Sequence, residues 1–95
     1  MKIGDEVTVR RALTKSRRGA AADRLTIVKW HESVIDETAA VYLGWTFVHN
    51  GEMINGYEDR EFRSKERIKA AVVQPLKTDG RYRKRMYVPF AEVQP

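Results

Sequence analysis

The residues of this chain best suited to chemistry are basic ones at alternate positions. In the stretch RYRKRMYVPF, residues 81–90, Arg81, Arg83, Arg85 and Tyr87 fall two apart. Successive side chains of a strand point to opposite faces, so these four share one face, and the arginines stand roughly 6.5–7 Å apart in line. That spacing is close to the phosphate repeat along one nucleic-acid strand. Tyr82, Lys84, Met86 and Val88 take the other face, which reads as core-facing, with Lys84 reaching out at a rim. Three aligned arginines repel one another unless a polyanion or acidic side chains offset them. Lys15, Arg17 and Arg18, in the segment TKSRRGAAADR at 14–24, are read as loop cations that reinforce the row. Tyr87 is placed to stack on a base or sugar.

Other constellations carry less. His31 and His49 lie far apart near strand ends, with no partner at metal-ligand spacing, whereas a zinc site needs three or four convergent ligands. Glu58, Asp59 and Glu61 include the residue types for general acid–base work but read as a solvated loop. The sequence has neither a Gly-rich phosphate loop nor Gly-x-Ser-x-Gly. The expectation is therefore a protein that is not an enzyme and uses neither a metal nor another cofactor.

Charge is distributed unevenly. The net charge is +5. Residues 1–31 carry eight Lys/Arg against three Asp/Glu, residues 32–61 one against seven, and residues 62–95 nine against three. The chain is basic at both ends and acidic in the middle. Its partner is expected to be nucleic acid or an acidic protein surface, with internal charge pairing as the competing use of those side chains. The absence of cysteine excludes disulfides and thiolate metal sites and fits a reducing compartment. The start MKIGDEV has no apolar h-region, and no apolar run approaches a membrane span. A cytoplasmic protein, monomeric or a small homo-oligomer, is expected.

The elements that must position these residues read as β. In IGDEVTV, a Gly4–Asp5 turn precedes alternating Val7 and Val9. LTIVKW at 25–30 is a strand, and IDET at 35–38 a turn. In AAVYLGWTFVHNGEMINGY, Val41, Leu43, Trp45 and Phe47 share the face assigned to the core. Gly44 suggests a bulge or close approach, and Asn50–Gly51 predicts a type I′ hairpin. Trp30 is assigned to packing, with an exposed edge as the alternative. Residues 58–67 read as a charged loop or short helix, with i, i+4 pairs Asp59–Arg63 and Glu61–Lys65. Residues 68–76 form a strand ended by Pro75, residues 78–80 a turn, and the 81–90 strip a last strand. The sum is a mainly β chain. It is a single small barrel, or a strongly bent antiparallel sheet, of five to six strands over residues 1–95, with long charged loops and at most one short helix.

Two stretches carry a resemblance. KIGDEVTV resembles the first strand of SH3-like barrels of the KOW and translation-protein type. YVPFAEVQP resembles their finish, a strand running into a one-turn helix and a short last strand. The resemblance implies an SH3-like architecture and brings no catalytic residues. MazF- and PemK-type ribonuclease toxins share the fold, but their Arg-Pro strand is missing here, where RLTIV stands instead. In type, the chain also resembles small phage and mobile-element accessory proteins that bind and inhibit a larger partner, such as a host-defence complex.

Overall fold

The computed structural model describes residues 1–20, 25–56, 60–76 and 84–93. Among them are four strands, β1 (Glu6–Ala20), β2 (Leu25–Asn55), β3 (Arg60–Pro75) and β4 (Met86–Pro89), then a 3-10 turn at Phe90–Val93. All pairings are antiparallel, and the order β1-β2-β3-β4 closes into a barrel through Leu13 opposite Tyr87. No helix among the described residues is long and apolar enough to cross a membrane.

The mainly β class is as the sequence indicates, but the strands are fewer and longer. Residues 14–20 extend β1, where the sequence predicts a loop, and residues 60–67 begin β3, where it predicts a charged loop or short helix. LTIVKW, IDET and the Trp45 run are one strand of 31 residues. Fully extended it would span roughly 100 Å, yet the longest dimension of the molecule is 44 Å. β2 must therefore bend. Its first part pairs with β1 and its second with β3, the two ladders overlapping at Ala40 and Val41. The bending sites are register breaks. One lies between Val9 and Arg11, where the expected IDET turn is instead an irregular stretch of strand, and another between Tyr42 and Gly44. Gly44 has φ +129°, a conformation that side-chain-bearing residues rarely adopt. At the N-terminus Gly4, at φ +97°, donates its N–H to the Tyr42 carbonyl, and the Asp5 carbonyl accepts from Tyr42.

The break after Tyr42 changes which residues face the core. Val7, Val9, Ala40, Tyr42, Ala71, Val73, Val88 and Val93 form the barrel interior, with Ile35, Met86 and Phe90 against it. Tyr42, not Val41 or Leu43, is the buried residue before the break. Beyond it Trp45 pairs with Ala71 on the interior face but is 53% exposed, so it is not core. The opposite face of the sheet holds a second cluster, Leu13, Val48 and Ala70, covered by Trp30 and Ile68.

Beyond the barrel, β1 and β2 continue together to Ala20 and Leu25 as one arm, and β2 and β3 continue to Asn55 and Arg60 as another. A compact chain of this length has a radius of gyration of about 12 Å; here it is 15.8 Å. Asn50–Gly51 is not a hairpin turn. It lies inside β2 at a register break, and the reversal comes after Asn55. Gly51 is needed for space: a Cβ there would collide with the Arg63 carbonyl and lie 2.9 Å from the Phe62 ring.

Candidate binding surface

Two features meet at the root of the β2–β3 arm. The first is a cation–aromatic strip on the face that is barrel interior at Val73. The register sets Phe47 opposite Lys69 and Trp45 opposite Ala71. Diagonal neighbours in an antiparallel pair are within reach of long side chains, and both cations lean that way. Arg67 Cζ lies 4.5 Å from the Phe47 ring centre, and Lys69 Nζ 4.6 Å from that of Trp45. Lys69 Nζ is also 4.0 Å from the ring centre of Phe90, which the turn after β4 delivers. Trp45 and Phe47 meet edge to face at 5.4 Å. The order Phe90, Lys69, Trp45, Phe47, Arg67 is thus a continuous chain of contacts. Small Ala71 leaves room beside Trp45. Such cation–π contacts are worth about 0.5–1 kcal/mol each at exposed sites. Among the described residues, neither Arg67 nor Lys69 has a carboxylate within ion-pairing distance.

The second feature is a cleft of about 330 Å³ between the arms. Lys15, Val28, Trp30 and Tyr87 line one side, and Phe47, Val48, Met53 and Phe62, with Thr46 and His49, the other. Trp30 and Tyr87 pack edge to face at 5.3 Å. Lys15 Nζ stands 6.0 Å from the Trp30 ring centre. The Asn50 side chain accepts a 2.7 Å hydrogen bond from the Trp30 N–H, tying one arm to the other. His49 Nδ1 meets Ser64 Oγ at 2.9 Å.

Elsewhere several charges are paired. Arg11 meets Glu32 at 2.8 Å and Arg10 meets Glu37 at 3.4 Å. The hydrogen bond to Glu32, and then its charge, hold the Arg11 guanidinium still more firmly protonated than usual. The expected Glu61–Lys65 helical pair does not form. Glu61 lies near Arg63 along the strand and Lys65 bonds Glu52 across it, while Asp59 lies outside the described residues.

The sequence-derived site divides. Arg81 and Arg83 lie outside the described residues. Arg85 is exposed just before β4, and Tyr87 lines the cleft at 37% exposure. Lys15, Arg17 and Arg18 are on strand β1 rather than in a loop. Lys15 reaches the cleft, Arg17 stands opposite Val28 of its wall, and Arg18 stands opposite Ile27. Sequence reasoning missed Trp45, Phe47, Arg67 and Lys69. The available signal was the alternation of Arg63, Lys65, Arg67 and Lys69, which is strand periodicity. Among the described residues no three His, Asp or Glu side chains converge as a metal site would need. Compared with known proteins, the chain matches no family model, no curated protein and no solved structure.

Proposed function

We propose that this is a small, basic, non-catalytic binding module that associates with nucleic acid. The observation that carries the reading is the strip in which Arg67 and Lys69, without carboxylate partners among the described residues, stand over Phe47 and Trp45. Cations for phosphates and ring faces for bases or sugars are the two requirements of strand binding, and here they alternate within one ladder. Lys15 and Arg17 continue the positive surface along the first arm, and Arg85 stands exposed ahead of β4. We read the barrel as SH3-like, on the Gly4–Asp5 turn that leads into β1 and the one-turn helix after β4. That reading concerns architecture and assigns no function.

The test is binding to labelled DNA and RNA at about 50 and about 200 mM salt, where phosphate-driven affinity falls steeply. Salt-independent binding, or none, overturns the proposal. Val34, 81% exposed beside the Arg11–Glu32 pair, favours a second reading, an accessory protein that docks on and modulates a larger protein. A single stoichiometric protein retained after nuclease treatment would support it.

A further inference from the structure

Resting on the nucleic-acid reading, we infer that the cleft between the two arms takes an unpaired base, so that the preferred ligand is a single strand and not a duplex. The cleft, at about 330 Å³, is at the small end of ligand sites, which run roughly 300–1,000 Å³. It suits one planar ring system with part of its sugar, not a helix or an extended chain. Its lining is rich in aromatic rings, with Trp30 and Tyr87 from one arm and β4 and Phe47 and Phe62 from the other arm. Such rings are what an unstacked base requires, and a base within a duplex already has both faces covered by its neighbours.

Charge fits the same ligand. A nucleotide in a strand carries a phosphate on each side of its base. Lys15 lines the cleft beside Trp30, and Arg67, outside the lining, stands over the ring of Phe47, which lines it. Among the described residues, no Asp or Glu lines the cleft. The cleft is also held open in a set shape. Asn50 ties the Trp30 backbone across to the second arm, and the cluster of Leu13, Val48 and Ala70 packs at their junction. From there the outer strip of Phe47 and Trp45 leads away from the cleft, a path along which neighbouring nucleotides would run.

The two tryptophans make the inference measurable. In Trp45→Phe, Trp30 is the sole tryptophan and reports on the cleft. Titration with an oligothymidylate of roughly 12 nucleotides, within the usual site sizes of single-strand binders, should quench Trp30 emission, and a duplex of equal length should not. Adding Phe62→Ala, at a side chain 42% exposed, should weaken single-strand binding about tenfold, within the range for one lost stacking partner. Duplex binding should be unchanged. Equal binding of both forms with Trp30 emission unmoved would remove the cleft inference and leave the nucleic-acid reading standing. Failure to bind either form would remove both. Quenching by polyglutamate matching that by the oligonucleotide would also overturn the inference, since it would mark the cleft as a site for acidic peptide.

Discussion

The barrel wall and the root of the β2–β3 arm handle their cations in opposite ways. On the wall, Arg10 and Arg11 each meet a glutamate of β2, and Glu92 also accepts from the Arg10 N–H. At the arm root, Arg67 and Lys69 lie over aromatic rings. The acidic middle of the sequence is therefore not a uniform counterweight to the basic ends. Glu32 and Glu37 neutralise the wall locally, Glu52 and Glu61 the outer part of the arm, and the stretch between keeps its charge. A pair already satisfied within the molecule has little to offer a polyanion. A cation over a ring keeps its charge and most of its donors available.

The difference depends on the arm holding its shape without a barrel around it, and Gly51 is where that can be broken most severely. A methyl group there would run into the Arg63 carbonyl and the Phe62 ring, whereas Gly19 on the other arm has only ordinary contacts, the nearest 3.7 Å. Gly51→Ala should destabilise by about 1–3 kcal/mol, the usual cost of overpacking, and Gly19→Ala should be near neutral. Hydrogen exchange should place the loss at residues 48–55 and 60–68, with barrel amides still protected. Uniform loss of protection would mean that arm and barrel are one cooperative unit, and the contrast between them would lose its basis.

The charges come next in size. Arg67→Gln with Lys69→Gln should lower affinity for a single strand roughly tenfold and reduce the salt slope by about 1.4, two phosphate contacts at about 0.7 each. Arg10→Gln with Arg11→Gln removes the same formal charge and should change affinity by less than about twofold, since those arginines already have partners. Equal effects would show that only net charge matters and that the wall and the arm root do not differ.

A smaller effect is expected at the tie between the arms. Asn50→Ala deletes the 2.7 Å acceptor of the Trp30 N–H, a half-buried bond worth about 1 kcal/mol. Thermal unfolding should move only modestly. Single-strand affinity should fall several-fold as the cleft loses its set width, with duplex affinity unchanged. An unaltered single-strand affinity would show that the width of the cleft does not matter for binding.

What the sequence made legible follows from what it encodes locally. Alternation at Val7 and Val9, the Gly4–Asp5 turn, the break at Gly44 and the end of β3 at Pro75 all depend on neighbours in the chain, and each is in the structure. The errors arose where spacing carries two meanings. Two Asn-Gly pairs lie five residues apart, and the first, at 50–51, was read as the turn. The second, at 55–56, ends the strand, while Gly51 serves close approach to β3. Strand parity placed Trp45 on the interior face, as the pairing with Ala71 does, but parity has no record of how far a side chain on that face is covered, and Trp45 is exposed. Glu61–Lys65 spacing suggested helix, and charge-rich segments suggested loops. Long arms can be polar because few of their faces meet a core. The strip was hidden for the same reason, since Arg67 reaches Phe47 only through a register fixed by two breaks in pairing.

The slightest change expected is at Glu32, and it probes the contrast from the paired side. Glu32→Gln removes the charge that partners Arg11 while keeping the side chain's shape. Both groups are largely exposed, with relative accessibilities of 58% and 46% for the Arg11 and Glu32 side chains, and exposed pairs contribute little to stability. The thermal midpoint should stay within error. The Arg11 pKa is raised by the partner, so any stabilisation from the pairing is present below the ordinary arginine range and is lost only as pH rises through that still higher value. Across about pH 6–9, far below the range where arginine deprotonates, Arg11 therefore gives the midpoint no pH dependence. The informative readout is binding. Freeing Arg11 adds one unpaired cation on the barrel wall, and affinity for a strand held at the arm root should rise less than about twofold, through the long-range field alone. A rise of tenfold would place the wall within the interface. The Arg11–Glu32 pair would then be a competitor of the ligand, not a bystander.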